Sequence, residues 1–288
     1  MTIDLYQSVT DKIIASLESG VAPWVRPWNA AAAFGGMPYN ACSGKPYRGI
    51  NVALLFNPMY DSAAWMTYKQ AMDLGAHVRK GERGTQIVFF KPFKVEDKNA
   101  TEPGATKTIP LLRAYTVFNV AQIDDLPAKF AAKAPAERPL LASDAMMAKA
   151  TVRHGGDRAF YTTADDHIQL PHVEQFKSQA DYSATALHEL VHWSGHQSRL
   201  CREYGKRFGD SAYAREELVA EIGAAFLCAR VGIDGQLQHA SYIASWIKAL
   251  KDDKRAIVTA AAAAQRAADY LTDEPAYSER TEESSIAA

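Results

Sequence analysis

The chain has 288 residues, 48% hydrophobic and 23% charged, with a net charge of −1, which excludes a disordered polyelectrolyte and leaves material for one large core or two ordinary ones. No run of eighteen apolar residues occurs and Met1-Thr-Ile-Asp-Leu5 lacks the basic, apolar start of a secretory signal, so neither a membrane span nor export is expected. Three widely spaced cysteines, Cys42, Cys201 and Cys228, imply reduced thiols, and a cytoplasmic location follows. Charge is uneven: residues 1–130 hold 14 Lys+Arg against 11 Asp+Glu, residues 131–288 hold 18 against 22, and residues 45–94 hold 8 against 3. A basic first half points to a polyanion such as nucleic acid, although ordinary fluctuation produces the same imbalance.

Ile3 to Ser19 reads as an amphipathic helix with Leu5, Val9, Ile13 and Leu17 at spacing four and Gly20 as its stop. Pro23-Trp24-Val25-Arg26-Pro27-Trp28 follows. Trp24, Arg26 and Trp28 could stack on bases of a single strand or plug the end of a core. The glycine- and proline-punctuated stretch 34–49 carries Lys45, Tyr47 and Arg48 as its polar reach, without the order of a Walker loop. A short apolar segment, 51–57, precedes an expected helix from Ser62 to Leu74, with Trp65 and Tyr68 read as core. Arg79, Lys80 and Arg83, expected with Trp24, Arg26, Trp28, Lys45, Tyr47 and Arg48 to meet DNA, lie on a basic turn feeding a strand, 86–93, which should pair antiparallel with a second, 111–120, across a polar loop, 95–108. Phe89, Tyr115 and Phe118 are then divided between the faces of the sheet.

Residues 128–140, rich in alanine, proline and lysine, read as a linker between domains 1–127 and 141–288. Beyond it, Ser143 should cap a helix to Thr151. Residues 158–162 and 167–170 should be short strands, the second forming the edge along which a peptide lies. A buried helix follows, with Thr185-Ala-Leu-His-Glu-Leu-Val-His-Trp193 at its heart. His188 and His192 are one turn apart on one face and can share a tetrahedral zinc ion, while Glu189 can deprotonate a bound water.

Gly195 breaks that helix. His196, two turns beyond His188 and out of reach if the helix continued, is freed by the break, but its spacing does not match the longer H-E-x-x-H-x-x-G-x-x-H pattern and it is read as outside the site. A helix from Ala212 to Leu227 follows, with Glu217 and Glu221 on one face. Glu217 is assigned as the third metal ligand and Glu221 as the acceptor that steadies a ligand histidine through its other ring nitrogen. Glu216 should point away into solvent. Two more helices, 238–250 and 254–271, and a frayed tail complete the chain.

Pro-Trp-Val-Arg-Pro-Trp, Tyr-Arg-Gly-Ile-Asn and Gly-Glu-Arg-Gly-Thr in the first half resemble the single-stranded-DNA-binding domain of ArdC-type antirestriction proteins, related to domains of plasmid primases. His188-Glu-Leu-Val-His192-Trp-Ser-Gly-His196 and Glu217-Leu-Val-Ala-Glu221 are similar to the zincin-like metallopeptidase domain of that family. The last motif also resembles the E-x-x-A-[DN] helix of gluzincins, with Glu221 one methylene longer than the usual residue. The resemblance implies an α+β fold of two domains, an N-terminal single-strand-binding domain and a C-terminal gluzincin-type domain. It implies a Zn2+ site, with Mn2+ as another divalent occupant. The expected role is protection of incoming conjugative plasmid DNA from host restriction enzymes. The expected partners are single-stranded DNA and a protein substrate, restriction enzymes among the candidates. Two other roles fit the same residues: a DNA-binding protector with an idle metal site, and a regulatory zinc protease whose first domain recruits protein targets.

Overall fold

A computed structural model describes residues 4–24, 36–56, 60, 62–96, 106–130, 141–204, 211–233 and 242–274. The chain begins with helix α1 (Leu5–Glu18), capped by Asp4, whose carboxylate accepts from Gln7 N. Then come strand β1 (Tyr39–Asn40), helix α2 (Ile50–Leu55), strand β2 (Ala64–Thr67), helix α3 (Tyr68–Asp73) and strand β3 (His77–Val78). Two long strands, β4 (Thr85–Glu96) and β5 (Thr106–Asn119), and the short β6 (Ile123–Asp124) complete this half. The main sheet has the order β1-β2-β5-β4, and β4 and β5 are antiparallel with Val88 opposite Ala114.

The helix expected from Ser62 is instead a strand followed by one short helix. Trp65 packs in one cluster with Tyr47, Leu55, Ile87 and Val117, whereas Ala64 and Met66 pack in another with Ala71 and Val120. Alternation between two apolar layers demands a period of two, which a strand supplies. Thr67 then starts α3 through a capping box with Gln70. Tyr68, expected in the core, is 54% exposed on that helix.

Helix α4 (Leu141–Met147) begins two residues before Ser143, which is buried inside it and is not its cap. Strand β7 (Thr151–His154) was not expected. It lies parallel to β9 (His167–Leu170), which also pairs antiparallel with β8 (Phe160–Thr162). The order β7-β9-β8 puts β9 in the middle and leaves β8 at the edge, correcting the expectation that 167–170 is the edge. Helices α5 (Gln179–Ser194), α6 (Ser211–Val231), α7 (Ile243–Asp252) and α8 (Ala256–Leu271) form the rest. The buried alanines of α8, including Ala260, Ala261, Ala264, Ala267 and Ala268, let α5 and α6 pack closely against it.

The two halves share a core. Val9, Ile13, Leu17 and Trp24 belong to the same buried cluster as Leu187, Leu218, Trp246, Leu250 and Ile257. Polar contacts reinforce it: Thr10 Oγ1 donates to Lys254 O at 2.7 Å, and Gly49 N donates to Gln265 Oε1 at 3.0 Å. Gly49 has φ 56 and ψ −134, a backbone conformation closed to side chains with a Cβ, and it turns the chain into α2. Asn51, two residues on, pairs its amide with the backbone of Val88, donating at 2.8 Å and accepting at 2.9 Å. The Tyr-Arg-Gly-Ile-Asn stretch thus ties sheet, α2 and α8 together.

Among the described residues no helix is long and apolar enough to cross a membrane.

Candidate metal centre

Helix α5 is capped by Ser178, whose hydroxyl accepts from Asp181 N at 3.1 Å. Every residue from Ala186 to Ser194 is buried, so the helix carries polar groups into the interior only where something meets them. What meets them is α6. His188 Nε2 and His192 Nε2 stand 3.2 Å apart. Glu217 places one carboxylate oxygen 3.6 Å from the first and the other 3.6 Å from the second. Ligands bound at zinc distances in a tetrahedron stand roughly 3.3 Å from one another, so this donor set fits a single divalent ion. Among the described residues it is the one His/Cys/Asp/Glu group so gathered.

The opposite ring edges are also met by carboxylates. Glu221 lies 3.6 Å from His188 Nδ1, a charge contact longer than a hydrogen bond. His192 Nδ1 is 3.2 Å from Glu216 Oε1. Glu216, expected in solvent, is only 5% exposed. It also receives two hydrogen bonds from Arg202, from Nε at 3.0 Å and Nη2 at 2.9 Å. The correction has a simple cause: an imidazole has two nitrogens on opposite edges, so neighbouring carboxylates on α6 can serve both edges of His192.

Charge follows from this crowding. Burial alone would lower the pKa of His188, but Glu217, Glu221 and Glu189 push it up to about 10. Burial likewise opposes, and Glu216 and Glu217 override, at His192, which is pushed up to about 9. Burial would raise the Glu217 carboxyl, yet the two histidines hold it well below the usual carboxylate range. Glu216 is held low in the same way by His192 and Arg202, against its own burial. Without an ion the centre is thus a proton-holding cluster, and any metal must displace those protons.

The centre opens into a cleft of about 490 Å³ lined by Arg158, β8, Glu189, Tyr204, Tyr213 and Tyr242 together with the donor set. Tyr213 and Tyr242 hydroxyls are 3.2 Å apart. His196 stays outside the donor set, its Nδ1 2.7 Å from Ser198 Oγ.

The residues expected to meet DNA are scattered. Trp24 is 1% exposed and Tyr47 is 3% exposed, so no base can stack on either; apolar neighbours from α7 and from the sheet enclose them. Arg48 is held by Asp269, a buried carboxylate on α8 that it neutralises. Arg79 is spent on Asp124 and Glu82. Lys45, Lys80 and Arg83 are exposed. Arg26 and Trp28, like most of the expected linker, lie outside the described residues. One exposed aromatic was missed: Tyr68, whose ring meets Phe118 at 6.3 Å. Phe118 also covers Gly84, next to Arg83. Tyr68 follows directly on the strand residue Thr67, a placement legible only once β2 is recognised.

Comparison with known proteins covers both halves. Residues 3–118 match the family described as the N-terminal domain of anti-restriction factor ArdC, and residues 142–263 match the zincin-like metallopeptidase family. The crystal structure of the antirestriction protein ArdC from the R388 plasmid, in its metal-free form, superposes with a TM-score of 0.78 at 43% identity, covering 94% of this chain and 97% of that one. Its Mn(II)-bound form superposes with a TM-score of 0.76 at 42% identity, over 94% and 98% of the two chains. The uncharacterized protein y4eC of Sinorhizobium fredii is 37% identical over 97% of this chain and 95% of its own length. The DNA primase TraC of Escherichia coli is 41% identical over 92% of this chain, which spans only 27% of the primase.

Proposed function

The chain belongs to the ArdC-type antirestriction family, and on that premise we propose that it shields plasmid DNA entering a new host by holding it as a single strand, and that it carries a metal-dependent peptidase site. The observation that carries the reading is the buried His188, His192 and Glu217 set opening beside Glu189 into a cleft with a strand edge along it. A structural metal site needs no carboxylate facing a substrate cleft; a hydrolytic one does.

A bound zinc or manganese ion would supply Lewis-acid polarisation and acidify a water. The chain's own residues do the rest. His188, His192 and Glu217 would hold the ion, with Glu221 and Glu216 on the far edges of the two rings. Glu189, which lines the cleft, takes the proton from the attacking water and returns it to the leaving amine. The open edge of β8 offers backbone groups to an extended polypeptide. Tyr213 and Tyr242 bring hydroxyl donors to the same cleft, where charge develops on the carbonyl oxygen.

For DNA, the support is the exposed ring of Tyr68, which meets Phe118, with Phe118 against Gly84 next to Arg83, and the exposed Lys80 and Lys45 as further cations. An exposed ring for a base and cations for phosphates are the requirements of a single-strand site.

The test is a plasmid-transfer assay into a restricting host, comparing the wild-type protein, Glu189→Gln and a Lys80→Ala/Arg83→Ala variant. Protection by the wild-type protein that is lost in the double variant is expected. No protection by the wild-type protein overturns the role, and protection unaffected by the double variant removes this surface from it. Protection lost in Glu189→Gln makes hydrolysis part of the role; protection kept separates the two activities.

A further inference from the structure

We propose that Arg202 is a positioning residue for the metal centre: acting through Glu216, it fixes the imidazole of His192 so that Nε2 faces the ion. The inference rests on the metal-binding reading of His188, His192 and Glu217.

Arg202 lies ten residues beyond His192, on the strap that leaves α5. Its planar guanidinium meets Glu216 in a two-point fork, Nε to Oε2 at 3.0 Å and Nη2 to Oε1 at 2.9 Å. Such a fork fixes the carboxylate plane as well as its position. The oxygen it shares, Oε1, is the one 3.2 Å from His192 Nδ1. The guanidinium is itself immobilised, donating from Nη1 to Ser194 Oγ at 3.1 Å and from Nη2 to the Val191 carbonyl.

The strap is built to bring it there. Arg202 N donates to Gly195 O at 2.8 Å and Cys201 N to His196 O at 3.0 Å. Cys201 turns the chain with φ 50, a conformation costly for a residue with a Cβ. Tyr204 donates its hydroxyl to the carbonyl of His192. Gly195 is what permits this closure. A Cβ there would stand 2.5 Å from the Tyr204 hydroxyl and 2.7 Å from Arg202 Nη2. The segment following His192 thus returns to grip that histidine twice, at its carbonyl and, through Glu216, at its ring. An imidazole held at Nδ1 keeps its tautomer and ring angle, and partners of this kind affect metal affinity by about 10–100-fold.

The rival account is that Arg202 only braces the end of α5 through Val191 and Ser194. Cobalt(II) separates the two when titrated into full-length protein freed of metal. The titration gives affinity, the visible absorption of bound cobalt reports ligand geometry, and the melting temperature of the metal-free form reports folding. Arg202→Met and Glu216→Gln should each lower cobalt affinity about 10–100-fold and shift the absorption bands. The double variant should be no worse than the weaker single one, since both break one chain of contacts. Arg202→Lys, which keeps the charge but loses the fork, should recover only part.

Unchanged affinity and spectrum in folded Arg202→Met overturns the proposal, and so do losses that add in the double variant, because Arg202 would then act apart from Glu216. Should Arg202→Met fail to fold, Glu216→Gln and Arg202→Lys carry the comparison, and unchanged affinity in both overturns it equally. Wild-type protein that takes up no cobalt overturns the metal reading and this inference together. Normal uptake with indifferent variants overturns this inference alone.

Discussion

Trp24, just beyond the first helix, packs edge-on against Trp246 of α7, their ring centroids 5.7 Å apart at 70°. The pair joins the opening of the chain to its last quarter, inside the core that both halves share. Trp24→Ala should therefore cost about 3–5 kcal/mol, the usual loss for a buried aromatic. Urea denaturation of the full chain measures it. The folded fraction should bind single strands as tightly as wild type, and a selective loss of DNA affinity without loss of stability would return Trp24 to the DNA surface.

Metal affinity should rank the carboxylates. Glu217→Ala removes a ligand and should abolish most binding, Glu221→Ala should weaken it about 10–100-fold, and Glu189→Gln should keep the ion while ending any peptide hydrolysis. Equilibrium dialysis against zinc and manganese checks the order. Stronger binding by Glu217→Ala than by Glu221→Ala would exchange their roles.

Protons and metal should oppose each other in a defined window. His188 and His192 are raised from 6.5 to about 10 and about 9 in the metal-free fold, so their contribution to stability is complete below pH 6.5. It is lost as pH climbs through 9 to 10. Glu217, shifted downward, contributes above its ordinary value of 4.5 and loses that contribution as the solution is acidified. Chelated protein should accordingly melt at falling temperature from pH 6.5 upward, while stabilisation by added metal grows over the same range. Scanning fluorimetry across this range reads both, and a chelated form whose stability rises between pH 7 and 9.5 contradicts the proton-holding cluster.

Lys80→Ala and Arg83→Ala should weaken binding to every oligonucleotide alike, and each should reduce the salt slope by about 0.7, the single-strand value per phosphate. Arg48→Met should leave that slope alone and lower stability, because it uncovers Asp269. Fluorescence anisotropy over a salt series, beside a denaturation curve, distinguishes them; a slope changed by Arg48→Met and not by the other two would reverse the assignment.

The metal helix was legible because its logic is local. Two histidines four apart must share a face once Ser178 caps the helix and Gly195 ends it, and Glu217 needed only a returning helix. Glu216 and Arg202 were not legible, since a strap of irregular chain brings the guanidinium back and no periodicity describes it. Trp24 and Arg48 were not placed by the sequence for a different reason. A tryptophan beside an arginine looks alike in a core and on a surface, and what decides Trp24 and Arg48 is burial by Trp246 and Asp269, more than two hundred residues away. The strand at Ala64–Thr67 was hidden likewise, because a run buried on both faces has no polar alternation to reveal it.

The bond from Thr10 to the carbonyl of Lys254 spans 244 residues, and the stripe of α1 is buried against α7. During translation the first helix emerges long before its partner exists. At about 5–20 residues per second, the intervening chain takes roughly 12–50 s to make. Throughout that interval Val9, Ile13, Leu17 and Trp24 lack the surface that covers them. Completion of this core is consequently a late event, set by the ribosome's arrival at α7 and α8, and a holding chaperone would find its target in the apolar stripe of α1 and in Trp24.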